Sequence, residues 1–186
     1  MAKLNKIMII YANSGAGHRR AAEALYSTMQ ETFPAAEIKI LDVLDYTNPV
    51  FKKSYPQSYL FLVRYCPLLW GFGYYIIDNP YIDPIVRHFR RAANSRQAKG
   101  FLNLVASEQP DLIITTHFLP NELLSIMKER KRLKSFVVTC ITDYHPHIIW
   151  MDSGVDLYMT PTPEMTPKLK SWGISERKVL PLGLPI

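Results

Sequence analysis

Short runs of apolar residues alternate with stretches of helical spacing along most of this chain. The first run, residues 6–12, is apolar at nearly every position, which is typical of a strand buried on both faces of a parallel sheet. Five further runs predict strands at residues 38–43, 111–116, 136–141, 155–159 and 178–182. Apolar side chains at helical spacing predict helices at residues 18–33, 121–130 and 164–172. The alternation predicts one α/β domain with a doubly wound, mostly parallel, Rossmann-like sheet.

Residues 46–100 interrupt this alternation and are predicted to form an insertion between two strands. The segment is rich in aromatic residues and ends in a basic stretch. Its later part predicts a long helix packed on the sheet, because apolar residues keep helical spacing at Val86, Phe89, Ala93, Phe101 and Leu104. The most apolar part, residues 60–77, is interrupted by Arg64, Pro67, Gly71 and Gly73. We do not expect it to span a membrane, which takes about 20 mostly apolar residues.

The insertion has two possible roles. Aromatic side chains favour the lipid–water interface, and basic side chains are attracted to anionic lipids. We therefore predict that an anionic membrane surface is contacted by Trp70, Phe72, Arg87, Arg90 and Arg91. The alternative is that the aromatic residues build a local core and that the arginines are merely solvated.

The charge and the cysteine content limit the possible binding partners and the cellular compartment. The formal net charge of +6 favours contact with phosphates, although such an excess also serves solubility. We recognise no nucleic-acid-binding motif and expect no nucleic-acid partner. Cys66 and Cys140 form no CxxC pair, and the N-terminus lacks the apolar stretch of a signal peptide. A reduced, cytoplasmic protein is therefore expected.

The loop after the first predicted strand is the first candidate site. It consists of Asn13, Ser14, Gly15, Ala16, Gly17, His18 and Arg19. Glycines let a ligand approach the backbone, and the amides at a helix N-terminus favour negative charge. Arg20 at the third glycine position excludes a dinucleotide fingerprint, and the loop lacks the Gly-Lys-Ser/Thr of a P-loop. His18 lies in the first turn of the predicted helix, where the positive end of the helix dipole should keep the imidazole neutral, as a general base requires. The alternative is that the loop is a plain tight turn whose histidine happens to be exposed.

Two more predicted strands end in polar and aromatic residues. His117 follows the strand at 111–116, and the strand at 136–141 is followed by Asp143, Tyr144, His145, His147 and Trp150. In open α/β sheets ligands bind beyond the carboxyl ends of strands, so these loops and the His18 loop should border one crevice. The residue types suit sugar or hydroxyl binding, although His117 could cap its strand and Trp150 could anchor the core. Asp143, His145 and His147 are candidate metal ligands, but their short spacing on one loop disfavours a metal site, and none is expected.

Together these segments resemble the monogalactosyldiacylglycerol synthase and processive diacylglycerol glucosyltransferase family. The matching segments, in chain order, are residues 15–19, 21–25, 110–118, 142–144, 147–150 and 181–186. More distantly, they are similar to the N-acetylglucosaminyl transferase that completes the lipid-linked peptidoglycan precursor. Ala16 departs from the unbroken glycine run of many relatives.

The resemblance implies the N-terminal half of a GT-B-type glycosyltransferase, which has two facing Rossmann-like domains. Residues 1–186 would bind a diacylglycerol or glycolipid acceptor at the inner face of the cell membrane, as a peripheral protein. A C-terminal domain, which we expect to lie outside this chain or in a partner subunit, would hold the UDP-sugar. The implied reaction is an inverting transfer of a hexose, with no cofactor beyond the donor substrate, and this half alone is expected to be inactive.

The resemblance also implies roles for the candidate residues. His18 is the candidate base, and Asp143 would orient it, stabilise its charge or act as the base itself. The predicted substrate-binding residues are Asn13, Ser14, Gly15, Gly17, His117, Tyr144, His145, His147 and Trp150. Two other functions remain open: a non-catalytic subunit that anchors a donor-binding protein to the membrane, and a nucleotide-dependent enzyme of ordinary Rossmann type.

Overall fold

A computed structural model describes residues 4–186, which form a six-stranded parallel sheet with helices on both faces. The strand order is β2-β1-β3-β4-β5-β6, and every neighbouring pair is parallel. The strands are β1 (Lys6–Tyr11), β2 (Glu37–Asp42), β3 (Leu112–Thr115), β4 (Phe136–Cys140), β5 (Leu157–Thr160) and β6 (Val179–Pro181). Each lies where an apolar run predicts it, and the predicted Rossmann-like fold is confirmed.

Seven α-helices accompany these strands in the described residues. They are α1 (Ala16–Thr32), α2 (Pro49–Tyr65), α3 (Pro67–Ile77), α4 (Asp83–Gln97), α5 (Lys99–Glu108), α6 (Phe118–Glu129) and α7 (Met165–Ser171). Helix α6 begins three residues before its predicted start at residue 121. The reason is a cap, because Nδ1 of His117 accepts a hydrogen bond from the amide of Leu119 at 3.0 Å.

The sheet separates two layers of apolar packing. Ile7 and Ile9 of β1 lie in the layer that contains Ala22 and Leu25 of α1. The opposite layer contains Met8 and Ile10 of β1 together with residues of α5, α6 and α7, namely Phe101, Val105, Leu119, Leu123, Met165 and Leu169. Side chains alternate along a strand, so the uninterrupted apolar run of β1 supplies both layers.

The prediction of a single long helix at the end of the insertion is wrong. The chain breaks between α4 and α5 at Ala98, whose φ is −102° and ψ 30°. Phe101 of α5 is buried, whereas Phe89 of α4 is 70% exposed. The apolar spacing therefore continues across two helices, and Phe89 does not pack on the sheet.

Neither α2 nor α3 contains a fully buried residue, although Phe51 and Tyr55 of α2 pack against the core. Among residues 4–186, no single helix is long and apolar enough to cross a membrane. Helices α2 and α3 meet the length and composition requirement together, but they are bent by 114° at the break between them.

The three arginines predicted to contact a membrane form ion pairs within the domain. The pairs are Arg87 with Asp83, Arg90 with Glu122 and Arg91 with Glu129. Two of these join α4 to α6, and the carboxylates of Asp83 and Glu122 are almost fully buried. This corrects the predicted role, because the guanidinium groups are already neutralised by carboxylates and are not available to an anionic surface.

A buried carboxyl group lies before β5. Asp152 is 4% exposed, and neither of its carboxyl oxygens has a hydrogen-bond partner among the described residues. Burial raises the pKa of Asp152 from 3.8 to about 6, and the nearby charge of Arg87 opposes this shift. The group is therefore ionised and poorly solvated at neutral pH.

We predict that Asp152→Asn stabilises the domain at pH 7.5. The change in pKa from 3.8 to about 6 corresponds to at most about 3 kcal/mol in the free energy of unfolding. A carboxyl whose pKa is raised by folding destabilises the folded state above that pKa, and the penalty vanishes below the unfolded pKa. Denaturant titrations should therefore show a gain that shrinks as the pH falls from about 6 to about 4.

Asp111→Asn is the matched control for this prediction. The amides of Lys6 and Asn5 lower the pKa of Asp111, so this substitution should cost stability at pH 7.5. A gain for Asp152→Asn that is independent of pH, or no gain at all, would contradict the expectation.

Candidate active site

The candidate site lies where the strand order reverses, between the carboxyl ends of β1 and β3. The chain passes from β1 to β2 on one side of the sheet and later to β3 on the other side. Loops leaving β1 and β3 therefore diverge, and such a switch point is the usual ligand crevice of an open α/β sheet. Hydrogen bonds show that the loops after β1, β3 and β4 meet here.

The loop after β1 is held by a buried carboxylate at the end of β2. One oxygen of Asp42 accepts hydrogen bonds from the amides of Asn13 at 3.2 Å and Leu44 at 2.9 Å. Gly15 is the N-cap residue of α1, and neither a side-chain cap nor an acidic residue occupies the first turn of that helix. The amides at this helix start are thus left to a ligand or to solvent, in a field that favours an anion.

Gly15 and Gly17 have open space around their α-carbons. A Cβ atom added at Gly17 would meet no heavy atom within 4 Å, and one at Gly15 would come no closer than 3.9 Å to His18. Neither residue has a φ in the left-handed region, since the φ of Gly15, 177°, is that of an extended backbone. Within the described domain, therefore, neither packing nor backbone conformation requires glycine at these two positions.

His18 is fixed by two threonines from neighbouring loops. Its Nδ1 lies 2.8 Å from the carbonyl oxygen of Thr116 and 2.8 Å from Oγ1 of Thr142. A carbonyl oxygen can only accept, so Nδ1 carries the proton and Nε2 of the neutral ring has a free lone pair. No side chain or backbone group within residues 4–186 donates a hydrogen bond to that Nε2.

The electrostatic surroundings keep His18 neutral. Burial lowers the pKa of His18, and this effect outweighs the hydrogen bond to Thr116 and the charge of Asp143, which both raise it. The imidazole is nevertheless only partly buried, so its free face is accessible. A neutral imidazole with an accessible lone pair has the state that a general base needs.

His117 packs against the ring of His18 and holds Ser14 of the same loop. It is 2% exposed, its Nδ1 caps α6, and its Nε2 therefore carries the proton and donates to Oγ of Ser14 at 2.9 Å. Burial, followed by the charge of His18, holds the pKa of His117 well below its ordinary value. The two rings lie edge to face with their centroids 4.6 Å apart. His117 is thus a scaffold residue, which corrects its predicted contact with substrate.

Asp143 interacts with Trp150 and not with the imidazole of His18. The indole of Trp150 is fully buried, and its Nε1 donates to Oδ2 of Asp143 at 2.8 Å. The orienting role predicted for Asp143 therefore belongs to Thr116 and Thr142. Asp143 still acts on His18 through its charge.

His147 is also enclosed. It is 2% exposed; its Nδ1 accepts from the amide of Ile149 at 3.0 Å, and its Nε2 donates to the carbonyl oxygen of Tyr74 at 2.9 Å. His147 and Trp150 are both among the predicted substrate-binding residues. Their burial corrects that prediction, because neither has a free polar atom facing the crevice.

Other predicted residues remain accessible. Asn13, Gly15, Gly17, Tyr144 and His145 are exposed, and Ser14 is half-buried. Their predicted contact with substrate stays a prediction. No group of three or more His, Cys, Asp and Glu side chains in residues 4–186 is placed to hold a metal ion.

The structure adds residues that the sequence interpretation did not place at the site. Thr116 and Thr142 fix the imidazole of His18. The ring centroid of Tyr55 of α2 lies 6.2 Å from that of His117, and the ring centroid of Tyr74 of α3 lies 3.9 Å from that of His147. The two threonines lie inside the recognised motifs, whereas the aromatic richness of the insertion gives no indication of which tyrosine faces the sheet.

Comparison with protein families decides the assignment. The family model described as monogalactosyldiacylglycerol (MGDG) synthase matches residues 18–186. This chain belongs to the MGDG synthase family. The resemblance recognised in the sequence is thereby confirmed, and the match begins at the candidate base.

Curated relatives within and around the MGDG synthase family are similar at modest identity. Monogalactosyldiacylglycerol synthase 1, chloroplastic, from Arabidopsis thaliana is 28% identical over an alignment of 186 positions that covers 97% of this chain and 34% of the relative. Processive diacylglycerol beta-glucosyltransferase from Bacillus thuringiensis (strain Al Hakam) is 26% identical over an alignment of 193 positions that covers 100% of this chain and 46% of the relative. The chain thus spans less than half the length of these relatives and matches their N-terminal part.

A solved structure confirms the fold of this MGDG synthase family member. The apo form of the lipopolysaccharide outer core galactosyltransferase WaaB superposes with a TM-score of 0.57 at 13% identity. The match covers 97% of this chain and 46% of that chain. At this identity the likeness establishes a shared fold.

We predict that His18 titrates below the ordinary histidine pKa of 6.5 and that Asp143→Asn lowers its pKa further. Burial disfavours the imidazolium, and the carboxylate of Asp143 partly offsets this. Asparagine keeps an oxygen that can accept from Trp150, so the loop should remain in place. NMR titration of the histidine ring protons measures both pKa values. Above its pKa, where the ring of His18 is neutral, ¹⁵N shifts should show that the remaining proton is on Nδ1.

The control for this titration is His145→Asn, an exposed position that should leave the pKa of His18 unchanged. A titration of His18 at or above 6.5 in the wild type, or a rise in Asp143→Asn, would show that the assignment of charges is wrong.

Proposed function

We propose that this chain is the acceptor-side half of an inverting glycosyltransferase that moves a hexose from a UDP-sugar to diacylglycerol or a glycolipid. The observation that carries the proposal is the state of His18, whose Nδ1 donates to Thr116 and whose Nε2 is free at the switch point of the sheet. Membership of the MGDG synthase family and similarity to a processive diacylglycerol beta-glucosyltransferase supply the reaction class.

In the proposed reaction Nε2 of His18 removes the proton of the acceptor hydroxyl. The hydroxyl oxygen forms a bond to the anomeric carbon as the bond from that carbon to the UDP oxygen breaks, and the electron pair leaves with the diphosphate. Thr116 and Thr142 hold the ring so that Nε2 faces the acceptor. The charge of Asp143 stabilises the imidazolium that forms.

The N-terminus of α1 suits the negative charge that develops on the leaving group. Its amides have no side-chain cap, and Gly15 and Gly17 leave the backbone bare of side chains. A helix start with free amides stabilises an anion through both hydrogen bonds and the helix dipole. In the proposal most contacts to UDP come from a second, donor-binding domain of the complete enzyme or from a partner subunit.

The alternative of an ordinary Rossmann nucleotide enzyme is less well supported. In such enzymes an acidic residue at the end of the second strand holds the ribose hydroxyl. Here Asp42 occupies that place, but it is 8% exposed and its Oδ1 is committed to the amides of Asn13 and Leu44. The alternative of a purely anchoring subunit does not account for the free lone pair of His18.

We further propose that α2 and α3 rest on a lipid surface, at the inner face of the cell membrane. Leu68, Phe72 and Tyr75 lie on one side of α3, at positions i, i+4 and i+7, and are 88%, 66% and 81% exposed. Contiguous exposed apolar side chains of this kind mark an interaction surface. Trp70 is half-buried between Tyr59 and Tyr74, so it organises the helix pair more than it meets lipid.

We predict that His18→Ala in the complete enzyme lowers turnover at least about a hundredfold without unfolding the domain, because a positioned base contributes about 10²–10⁴. Transfer of hexose to diacylglycerol from several UDP-sugars measures the effect. His88→Ala, at an exposed histidine of α4, is the matched control and should retain turnover. Near-normal turnover in His18→Ala would remove this residue from the mechanism.

We predict opposite effects of Gly17→Ala on stability and on activity. Alanine in place of a helical glycine should stabilise the fold by about 0.4–1 kcal/mol, because space is open and φ is compatible. If the diphosphate approaches this backbone, the added methyl group should nevertheless lower turnover of the complete enzyme. Gly71→Ala in α3, where a Cβ also meets nothing, should give the stability gain alone. Unimpaired turnover in Gly17→Ala would argue against an anion at this helix start.

We predict that Leu68→Ser/Phe72→Ser weakens binding of the chain to lipid vesicles by at least about tenfold, since burying one such side chain is worth about 1.5–3 kcal/mol. The loss should appear with both phosphatidylcholine and phosphatidylglycerol vesicles, and raised salt should release little protein, because Arg87, Arg90 and Arg91 are already paired. Sedimentation with vesicles measures both. Leu180→Ser/Leu182→Ser, also exposed but near the C-terminus, is the control. Binding that depends only on lipid charge would contradict the apolar surface.

A further inference from the structure

Helix α3 is joined to the candidate active site by a small set of polar contacts. Apart from backbone hydrogen bonds to the adjoining residues 66, 83, 85 and 86, two hydrogen bonds join residues 67–82 to the rest of the described chain, and both end on adjacent residues of the loop after β4. The Nε2 of His147 donates to the carbonyl oxygen of Tyr74, and the amide of Ile148 donates to Oδ1 of Asp78, each at 2.9 Å. The Tyr74 and His147 rings are also in contact, with their centroids 3.9 Å apart and their planes tilted by 37°.

The other side of this loop belongs to the candidate active site. His147 caps the short 3-10 helix Ile148–Trp150 through its Nδ1, which accepts from the amide of Ile149. Trp150 at the end of that turn donates to Asp143, and its ring centroid lies 6.2 Å from that of His18. His147 therefore links helix α3 to the segment that carries Trp150, the hydrogen-bond partner of Asp143.

The outer side of α3 carries the exposed apolar side chains that we propose to meet lipid. An aromatic column runs inward from them, with centroid distances of 5.2 Å from Tyr59 to Trp70 and 5.8 Å from Trp70 to Tyr74. The column ends on His147. Helix α2 packs on the core through Phe51 and Tyr55. Helix α3 contains no buried residue, so its position depends on its contacts with α2, on these contacts to the loop and on whatever covers its apolar side.

We propose that His147, together with Asp78, is a positioning latch that couples seating of α3 on a lipid surface to the order of the Asp143–Trp150 loop. The proposal rests on the lipid-surface part of the proposed function. When α3 is seated, Tyr74 and Asp78 are held against the loop, and Trp150 and Asp143 are held beside His18. When α3 is free, the loop loses two of its hydrogen-bond partners.

Substitutions can remove the contacts to α3 while keeping the capping hydrogen bond between residue 147 and the amide of Ile149. In His147→Asn the side-chain oxygen replaces Nδ1 as acceptor for the amide of Ile149, but the contact to Tyr74 is lost. Asp78→Ala removes the second contact without touching the loop itself, and Asp78→Asn restores an acceptor oxygen for Ile148. His88→Asn is the control for loss of an exposed histidine.

The test is amide hydrogen exchange of this chain with and without phosphatidylcholine vesicles that contain phosphatidylglycerol. In the wild type, vesicles should slow exchange at the amides of residues 148–151 by at least about threefold, which is the sign of a locally ordered segment. His147→Asn and Asp78→Ala should still sediment with vesicles but lose this slowing, whereas Asp78→Asn and His88→Asn should keep it. If His147 and Asp78 had only a structural role, their substitution would speed exchange at residues 148–151 equally with and without vesicles. That outcome would overturn the latch.

The remaining outcomes separate the latch from the proposed lipid surface. Vesicle binding without slowed exchange in the wild type would overturn the latch and leave the lipid surface standing. Slowing that persists in both His147→Asn and Asp78→Ala would do the same. A wild-type chain that binds neither this vesicle nor pure phosphatidylcholine would overturn the latch together with the lipid surface, while the assignment of His18 would be unaffected.

Discussion

The hydrogen bond from Nδ1 of His18 to the carbonyl oxygen of Thr116 crosses the point where the sheet reverses its strand order. It joins the first turn of α1 to the end of β3, and Oγ1 of Thr116 returns a hydrogen bond to the carbonyl oxygen of His18 at 2.8 Å. This reciprocal pair fixes the ring, its tautomer and the start of α1 together. Burial then keeps the ring neutral. The position and the chemical state of the candidate base thus follow from the contacts between the first turn of α1 and the residue after β3.

The sheet could be predicted from the sequence because its signal is local. A run such as Ile7 to Ile10 is apolar at consecutive positions, and a strand covered on both faces requires this pattern. The crevice follows from the topology, since loops after parallel strands meet at one edge. The family assignment was also accessible, because the motifs around His18 and Thr142 occur in order along nearly the whole chain.

The partners of charged and aromatic side chains could not be predicted in the same way. Arg90 and Glu122 are 32 residues apart, and only the packing of α4 on α6 brings them together. A basic stretch read along the chain therefore resembles a surface for anionic lipid, although its guanidinium groups are neutralised from a distant helix. Asp143 illustrates the same limit, because the neighbour that engages its carboxylate is Trp150 and not the imidazole that the motif suggests.

Three histidines surround the crevice, and their hydrogen bonds divide them into two kinds. In His117 and His147, Nδ1 accepts from the amide two residues ahead, so the proton must sit on Nε2, which is then used to hold Ser14 or the carbonyl of Tyr74. Both rings are buried and have no nitrogen left for a ligand. In His18 the order is reversed, because Nδ1 faces a carbonyl oxygen and must donate. The proton on Nδ1 leaves the lone pair on Nε2, so of these three rings His18 alone can accept a proton from a substrate hydroxyl. The sequence shows three histidines in the loops after three strands. Whether each one can act as a base or only holds its neighbours in place is decided by the backbone group that its Nδ1 contacts.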